Sequence, residues 1–277
     1  MIVKTDNRFV KDALFISYTG IKDYLKCPRS YFLKNVYRDP KTKYKIQVVS
    51  SHMTLGALVH DAIGWYLQMQ GQVTKDQLIQ KFRNFWLKYR GKRGGFATRE
   101  EEGSFGKRGL AMLDNFFANA NVLEPKVNAD DFLKFKIDDT TFLNGRVDFL
   151  GQMPDGSIHV LDFKTGSKDE EDPLQLYIYA ILVESNIQKP VSKISYWYLD
   201  RDSNPKEAVL DSLNEKLVWL KNKCQEIKEA IKKDSWVCVK NPDLCRDCQM
   251  YQAVLDGKAE FQYQDDNFKK MVYYLYQ

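Results

Sequence analysis

The sequence has no apolar run near the roughly 20 residues that a membrane-spanning helix needs, so no helical span is expected. Its opening decapeptide, MIVKTDNRFV, is too polar for a secretory signal. Cysteine is scarce and odd in number, at five. Without a secretory signal a disulfide framework is a poor reading, and a reducing, cytoplasmic setting is the better one. Low-complexity segments and internal repeats are both missing, which sets aside solenoids and compositionally biased tails. A strong charge of one sign is missing too. The net charge is +5 over 277 residues, with both signs well mixed. That permits a nucleic-acid partner without requiring one.

What is present supports a real core, since 44% of residues are apolar. The expectation is a single 1–277 domain in three parts. Residues 17–120 read as mainly helical. MTLGALVHDAIGWYLQ carries Leu55, Leu58, Val59, Ala62, Ile63, Tyr66 and Leu67 at helical spacing, and TKDQLIQKFRNFWLKY is amphipathic with Thr74 as N-cap. RGKRGGFATREEEGSFGKRG is Gly-rich, charged and aperiodic, and reads as an exposed loop.

Residues 121–205 read as a sheet core. FLKFKI and FLNGRVDFLGQM are strand-like, PDGS makes a turn, and IHVLDFKTG returns as a hairpin partner. DPLQLYIYAILVESN reads as a helix with Asp172 as N-cap and Pro173 at its first position, and KISYWYL as a further strand. Sheet, helix, sheet indicates an α/β core. In residues 206–277, Leu213, Leu217, Leu220, Cys224, Ile227 and Ile231 form a helical stripe. A Cys-bearing segment and a Tyr-rich end follow, and the pattern assigns no role to the latter.

The stretch HVLDFKTGS places a carboxylate and an amine inside an apolar strand. Residues i and i+2 of a strand share a face, about 6.6–6.8 Å apart, so Asp162 and Lys164 project together on the side of Ile158 and Val160. One role is an ion pair worth about 0–1 kcal/mol. The other is a metal-ligating carboxylate beside a lysine that orients water or steadies developing charge. Asp148, on a strand expected to pair with that of Asp162, adds a second carboxylate, and the Phe163 carbonyl a third oxygen. Oxygen donors suit Mg²⁺. Arg146, two residues before Asp148, is placed on its face, either to hold a phosphate or to pair with Asp162.

These residues carry a family resemblance. GALVH with His60, GRVD with Asp148, DFKTG with Asp162 and Lys164, and QLYIY with Gln175 and Tyr179 follow one another in the order of the PD-(D/E)XK nucleases. The pattern resembles specifically the RecB-type branch, which includes RecB and AddB nuclease domains and CRISPR adaptation nucleases. SYTGIKDYLKCPRSYF resembles the opening helix of that branch, and the likeness runs from about residue 17 to about 250. It implies a restriction-endonuclease-like mixed sheet flanked by helices, and a Mg²⁺- or Mn²⁺-dependent deoxyribonuclease. Single-stranded DNA or DNA ends would be the substrate, in repair, recombination or foreign-DNA processing, with a helicase or CRISPR-type protein as a partner. It also implies that His60 binds the metal, often Mn²⁺, and that Gln175 and Tyr179 stand beside the scissile phosphate. A catalytically idle nucleic-acid-binding subunit on the same fold is the rival reading.

The remaining candidates are read residue by residue. His52 has no partner motif and is placed on the surface. His159 points away from Asp162 and is placed as structural. Lys88, Arg90, Lys92, Arg93, Lys107 and Arg108 either form a solvated face or meet the DNA backbone, with Tyr89 or Phe96 available for base stacking. Cys224 belongs to the core stripe. Cys27, Cys238, Cys245 and Cys248 remain, one before and three after the core. That partition resembles the [4Fe-4S] cluster of some RecB-type relatives, although here the extra cysteine precedes the C-x-x-C pair. Zinc or no metal are the alternatives.

Overall fold

The computed structural model describes residues 13–276 apart from 71, 131 and 241–244. The N-terminal decapeptide and residues 241–244 of the Cys-bearing segment lie outside the described residues. In chain order the elements are β1 (Leu14–Ile16), α1 (Tyr18–Lys26), α2 (Pro28–Tyr31), β2 (Lys45–Val48), α3 (Ser51–Gln68), α4 (Lys75–Trp86), α5 (Arg99–Asn119), β3 (Leu133–Asp138), β4 (Thr141–Gly145), β5 (Phe149–Gln152), β6 (Ile158–Lys164), α6 (Leu174–Ile187), β7 (Val191–Tyr198), β8 (Lys206–Ala208), α7 (Leu213–Lys233), α8 (Arg246–Leu255), β9 (Glu260–Asp265) and β10 (Lys270–Tyr274). Among the described residues no helix is long and apolar enough to cross a membrane.

The site is positioned by the sheet β5-β6-β7-β8. β5 and β6 form the expected antiparallel hairpin, from Gln152 opposite Ile158 to Phe149 opposite Leu161. β7 lies parallel to β6, with α6 as the crossover. Because side chains alternate along β6, its two faces feed two separate cores. Ile158 and Val160 pack with α6 and α7, including Leu176, Leu220 and Cys224. Leu161 and Phe163 pack on the other side with Leu58 of α3, Phe82 of α4 and Phe116 of α5. Helices on both faces explain why β6 reads as a nearly continuous apolar run.

The helical expectations hold where cap and periodicity agree. Thr74 and Gln77 make a reciprocal capping box at the start of α4, and Leu55, Leu58, Val59, Ala62, Ile63 and Leu67 of α3 are buried. The α7 stripe is buried at Leu220, Cys224 and Ile227. The start of α6 differs by one residue. Pro173 stands at the cap, while Asp172 Oδ1 still accepts the Leu174 N–H at 3.0 Å, so Asp172 serves the capping bond from one position further out.

Two expectations are corrected, and a third region gains a structure that the pattern did not assign. The stretch expected to be an exposed loop is a short 3₁₀ turn, Gly91–Gly94, followed by the long helix α5. Thr98 caps α5 by accepting the Glu101 N–H, and Glu100, Glu101 and Glu102 occupy its first turn, where they favour the helix dipole. Gly94, Gly95 and Gly109 serve close packing, whereas Gly91 and Gly103 face open space. A Cβ at Gly109 would stand 2.5 Å from Phe82, so its absence lets α5 lie against α4.

Second, residues 142–153 are two strands in different sheets. β4 pairs with β1 and β3, and β5 with β6, leaving Arg146, Val147 and Asp148 in the break. Asp148 therefore does not sit in the ladder opposite β6, and the two-residue periodicity that placed Arg146 on its face does not apply. Third, the Tyr-rich end is the hairpin β9–β10, and β10 pairs parallel with β2, a strand inside the expected helical part.

Candidate active site

β5 begins only at Phe149, whose partner is Leu161. Asp162, Phe163 and Lys164 therefore have a ladder neighbour on the β7 side alone. On the open edge the Phe163 N–H donates to Asp148 Oδ2 at 2.9 Å. The Phe163 carbonyl leaves the strand on that same edge, since the N–H and C=O of one strand residue point the same way. The break between β4 and β5 thus brings Asp148 to where the ladder stops.

The other residues converge from three elements. α3 supplies His60, whose Nδ1 lies 3.1 Å from Asp148 Oδ1. β6 supplies Asp162, which is buried, and Lys164, whose Nζ lies 2.9 Å from Asp162 Oδ2. α6 supplies Gln175 and Tyr179, one turn apart on one face. Gln175 Oε1 accepts from Lys164 Nζ at 2.6 Å, and its Nε2 donates to Asp162 Oδ1 at 2.7 Å and to the Tyr179 hydroxyl at 3.0 Å. Asp162, Lys164 and Gln175 form a closed ring. Gly145 makes room for the neighbouring Tyr179, because a Cβ there would stand 3.0 Å from Leu182 and 3.1 Å from Tyr179.

The sequence reading missed two members. Tyr196 of β7, in register with Asp162, places its ring 4.6 Å from Lys164 Nζ, and its buried hydroxyl has no partner among the described residues. Glu170 lies 3.8 Å from Lys164 Nζ and 3.2 Å from Lys22. Parallel pairing of the strands around α6 would have pointed to Tyr196. Nothing in the local pattern singles out Glu170.

Electrostatics separate the two aspartates. Burial, and then the neighbouring charge of Asp148, pushes Asp162 up to about 7, against the pull of Lys164. Burial also acts on Asp148, but His60 and the Phe163 N–H outweigh it and hold that carboxyl below the usual range. Burial lowers His60, yet the Asp148 charge overrides it and raises the imidazole to about 9. A buried carboxylate, Asp162, and a half-buried one, Asp148, in mutual repulsion, with a carbonyl on an open strand edge beside them, are a donor set suited to a hard divalent cation. An imidazole at the rim extends the set to Mn²⁺. The residues present fit such an ion.

A cleft of about 330 Å³ opens from His60, Asp148 and Phe163. Its walls include Trp65 and Phe85 with Lys81, Lys126 and Arg146. Lys81 Nζ lies 5.2 Å from the Trp65 ring and 5.0 Å from the Phe85 ring.

The other basic residues are differently placed. Arg90 pairs with Glu102 at 3.2 Å, Lys92 with Glu260 at 2.7 Å, and the Arg93 guanidinium rests 4.0 Å from the Tyr263 ring centre. Arg108 pairs with Asp200. Phe96 is 1% exposed, so it cannot stack on a base, and Tyr89 packs against Tyr263. His52 is exposed beside Phe105. His159 is buried, with Glu124 at 2.8 Å and Ser195 at 2.9 Å, a structural placement.

The four cysteines set apart from Cys224 do converge. Cys27, Cys238, Cys245 and Cys248 place their sulfurs within 4.8 Å of one another, while Cys224 stays in the core on the buried face of α7.

Comparison with known proteins agrees with this geometry. The model of the PD-(D/E)XK nuclease superfamily matches residues 16–253. Helices on both faces of a mixed sheet form the restriction-endonuclease-like fold of such proteins. The crystal structure of a candidate exonuclease from Eubacterium rectale is similar, with a TM-score of 0.53 over 90% of this chain and 93% of that one. At 12% identity the likeness is one of fold. No curated protein sequence matches the chain.

Proposed function

The chain belongs to the PD-(D/E)XK nuclease superfamily, and we propose that it is a divalent-metal-dependent deoxyribonuclease of the RecB type, acting on single-stranded DNA or DNA ends. The observation that carries the proposal is the ring of Asp162, Lys164 and Gln175, closed at 2.6–2.9 Å beside Asp148.

In this reading Asp148, Asp162, the Phe163 carbonyl and His60 hold the cation. Bound there, a divalent ion supplies Lewis-acid polarisation of the phosphate and lowers the pKa of a water. Lys164, fixed by Asp162 and Gln175, orients the attacking water and steadies the negative charge that grows on the phosphate. Gln175 acts through Lys164 and Asp162, and Tyr179 has its own O–H to offer a phosphate oxygen. Both lie in the first two turns of α6, where the helix dipole favours an anion.

The cleft supports a single strand as substrate. Trp65 and Phe85, which flank Lys81, give the cleft an aromatic wall for unpaired bases, and Lys81, Lys126 and Arg146 place positive charge along it for the backbone. The cleft opens directly from His60 and Asp148, whereas Arg90 and Lys92 do not line it, which favours the cleft as the track. The candidate exonuclease neighbour suggests, as part of the proposal, that cleavage starts from ends. An idle binding subunit has no use for a lysine held 2.9 Å from a buried carboxylate.

The test uses end-labelled linear and circular single strands, with matched duplexes, in Mg²⁺ or Mn²⁺. Chelator-sensitive cleavage of linear single strands, with circles spared, is expected. Binding of DNA without cleavage in either metal contradicts the enzyme reading and favours the idle subunit.

A further inference from the structure

We propose that Cys27, Cys238, Cys245 and Cys248 hold a single zinc ion, and that the [4Fe-4S] cluster implied by the RecB-type resemblance does not fit. Four thiolates around one zinc, at Zn–S bonds of about 2.3 Å, form a tetrahedron with edges of about 3.8 Å. Cys27 Sγ lies 3.6 Å from both Cys238 Sγ and Cys248 Sγ, and Cys238 Sγ lies 3.8 Å from Cys248 Sγ. All four sulfurs, Cys245 included, stay within 4.8 Å of one another.

In a [4Fe-4S] centre each thiolate binds a different iron, with a cube of iron and sulfide between them. The sulfurs then stand on the order of 6 Å apart. The observed spacing has room for one ion and none for the cube.

The surroundings fit charged sulfur held in place. The N–H groups of Ser30 and Val239 donate to Cys27, and that of Lys240 to Cys238. Main-chain donors of this kind orient thiolate ligands and disperse their charge. Cys245 caps α8 and Cys248 sits in its first turn, a C-x-x-C spacing that closes on one small ion. Cys27, Cys245 and Cys248 are at most 5% exposed and Cys238 is half-buried, so most of the centre is shielded from solvent, as in structural zinc sites.

Zinc here clips the α1–α2 corner, where Cys27 lies between the helices, to α8. Leu33, Ile46 of β2 and Tyr251 of α8 complete the same small core. Binding energy at such a centre becomes folding energy for both ends of the chain. Because zinc has no redox chemistry of its own, this closure does not answer to one-electron oxidants as an iron–sulfur centre does.

The test is metal analysis and visible spectroscopy of full-length protein purified anaerobically from cells supplied with both iron and zinc. About one zinc per chain in colourless protein is expected. Replacing zinc by Co²⁺ should give an intense sulfur-to-cobalt charge-transfer band, which carboxylate and imidazole ligands at the Asp148 site do not give. Cys238→Ser should lose the band, and Cys224→Ser should keep it. If Cys238→Ser does not fold, the cobalt spectrum of the wild type still decides. Brown protein with about four irons overturns the proposal. So does wild type that takes up neither zinc nor cobalt at the sulfurs under reducing conditions.

Discussion

The main-chain N–H of Phe163 donates to the side chain of Asp148 at 2.9 Å, at the point where β5 has not yet begun. A carboxylate thus takes a bond that a strand neighbour would otherwise accept. That relationship fixes Asp148 against β6 before any metal arrives and leaves its other oxygen toward His60. Asp148→Asn keeps an acceptor for Phe163 but removes the charge. The variant is expected to melt near wild type and to lose about 10²–10³ in cleavage rate, as for other removals of one stabilising polar group from an active site. Asp148→Ala should also lose stability, by about 1–3 kcal/mol, because the buried N–H is left without a partner. Equal stability of the two variants in urea unfolding contradicts this account of the edge.

Gln175 ties three groups together, and Tyr179 receives only one of those bonds. Gln175→Leu should therefore lower kcat far more than Tyr179→Phe, and should change its pH profile, since both Lys164 and Asp162 lose a neighbour. Tyr179→Phe removes one hydroxyl bond, worth about 0.5–1.5 kcal/mol. The reverse order in steady-state rates refutes the ring as the positioning device.

Stability without metal should depend on pH at Asp162. Burial and the Asp148 charge raise its folded value to about 7, above the unfolded value of about 3.9. A raised acid stabilises the fold at low pH, and that contribution is lost as pH climbs through the folded value. The melting temperature of Asp162→Asn should gain on wild type as pH rises from about 3.9 to about 7, then run parallel. Mg²⁺ should stabilise wild type and close the gap. Thermal melts across this range check it, and a gap independent of pH contradicts it.

Single-strand binding should draw on the cleft. Neutralising Lys81, Lys126 and Arg146 one at a time is expected to reduce the slope of log K against log salt by about 0.7 each. Arg90→Ala and Lys92→Ala should change it little, because neither residue lines the cleft. Salt titrations of binding to a labelled single strand measure both. A larger loss from the Arg90 and Lys92 variants moves the DNA track to the β9–β10 side.

Much of this arrangement was legible in the sequence, and the failures have physical causes. The alternation of side chains along any strand placed Asp162 and Lys164 of IHVLDFK on one face, and the spacing of Gln175 and Tyr179 placed them one turn apart. Helix α5 was hidden because Gly103, Gly106 and Gly109 read as loop punctuation. At Gly109 the missing side chain serves contact with Phe82, and contact between distant segments leaves no local trace. The break at 146–148 was hidden because Phe142 and Phe149 are both strand residues, and only the change of sheet separates them. Tyr196 and Glu170 depend on tertiary neighbours that no local pattern encodes. The four cysteines were picked out by elimination, whereas the size of the space between them belongs to the fold alone.

In the proposed reaction Asp148, Asp162 and Lys164 cleave DNA together around one divalent ion. The most direct measurement is single-turnover cleavage of an end-labelled single strand by wild type and Lys164→Met in Mg²⁺, with binding of strand and metal followed in parallel. The account predicts that Lys164→Met binds DNA and Mg²⁺ within a few-fold of wild type and cleaves at least about 10²-fold more slowly. Cleavage at the wild-type rate by folded Lys164→Met contradicts it.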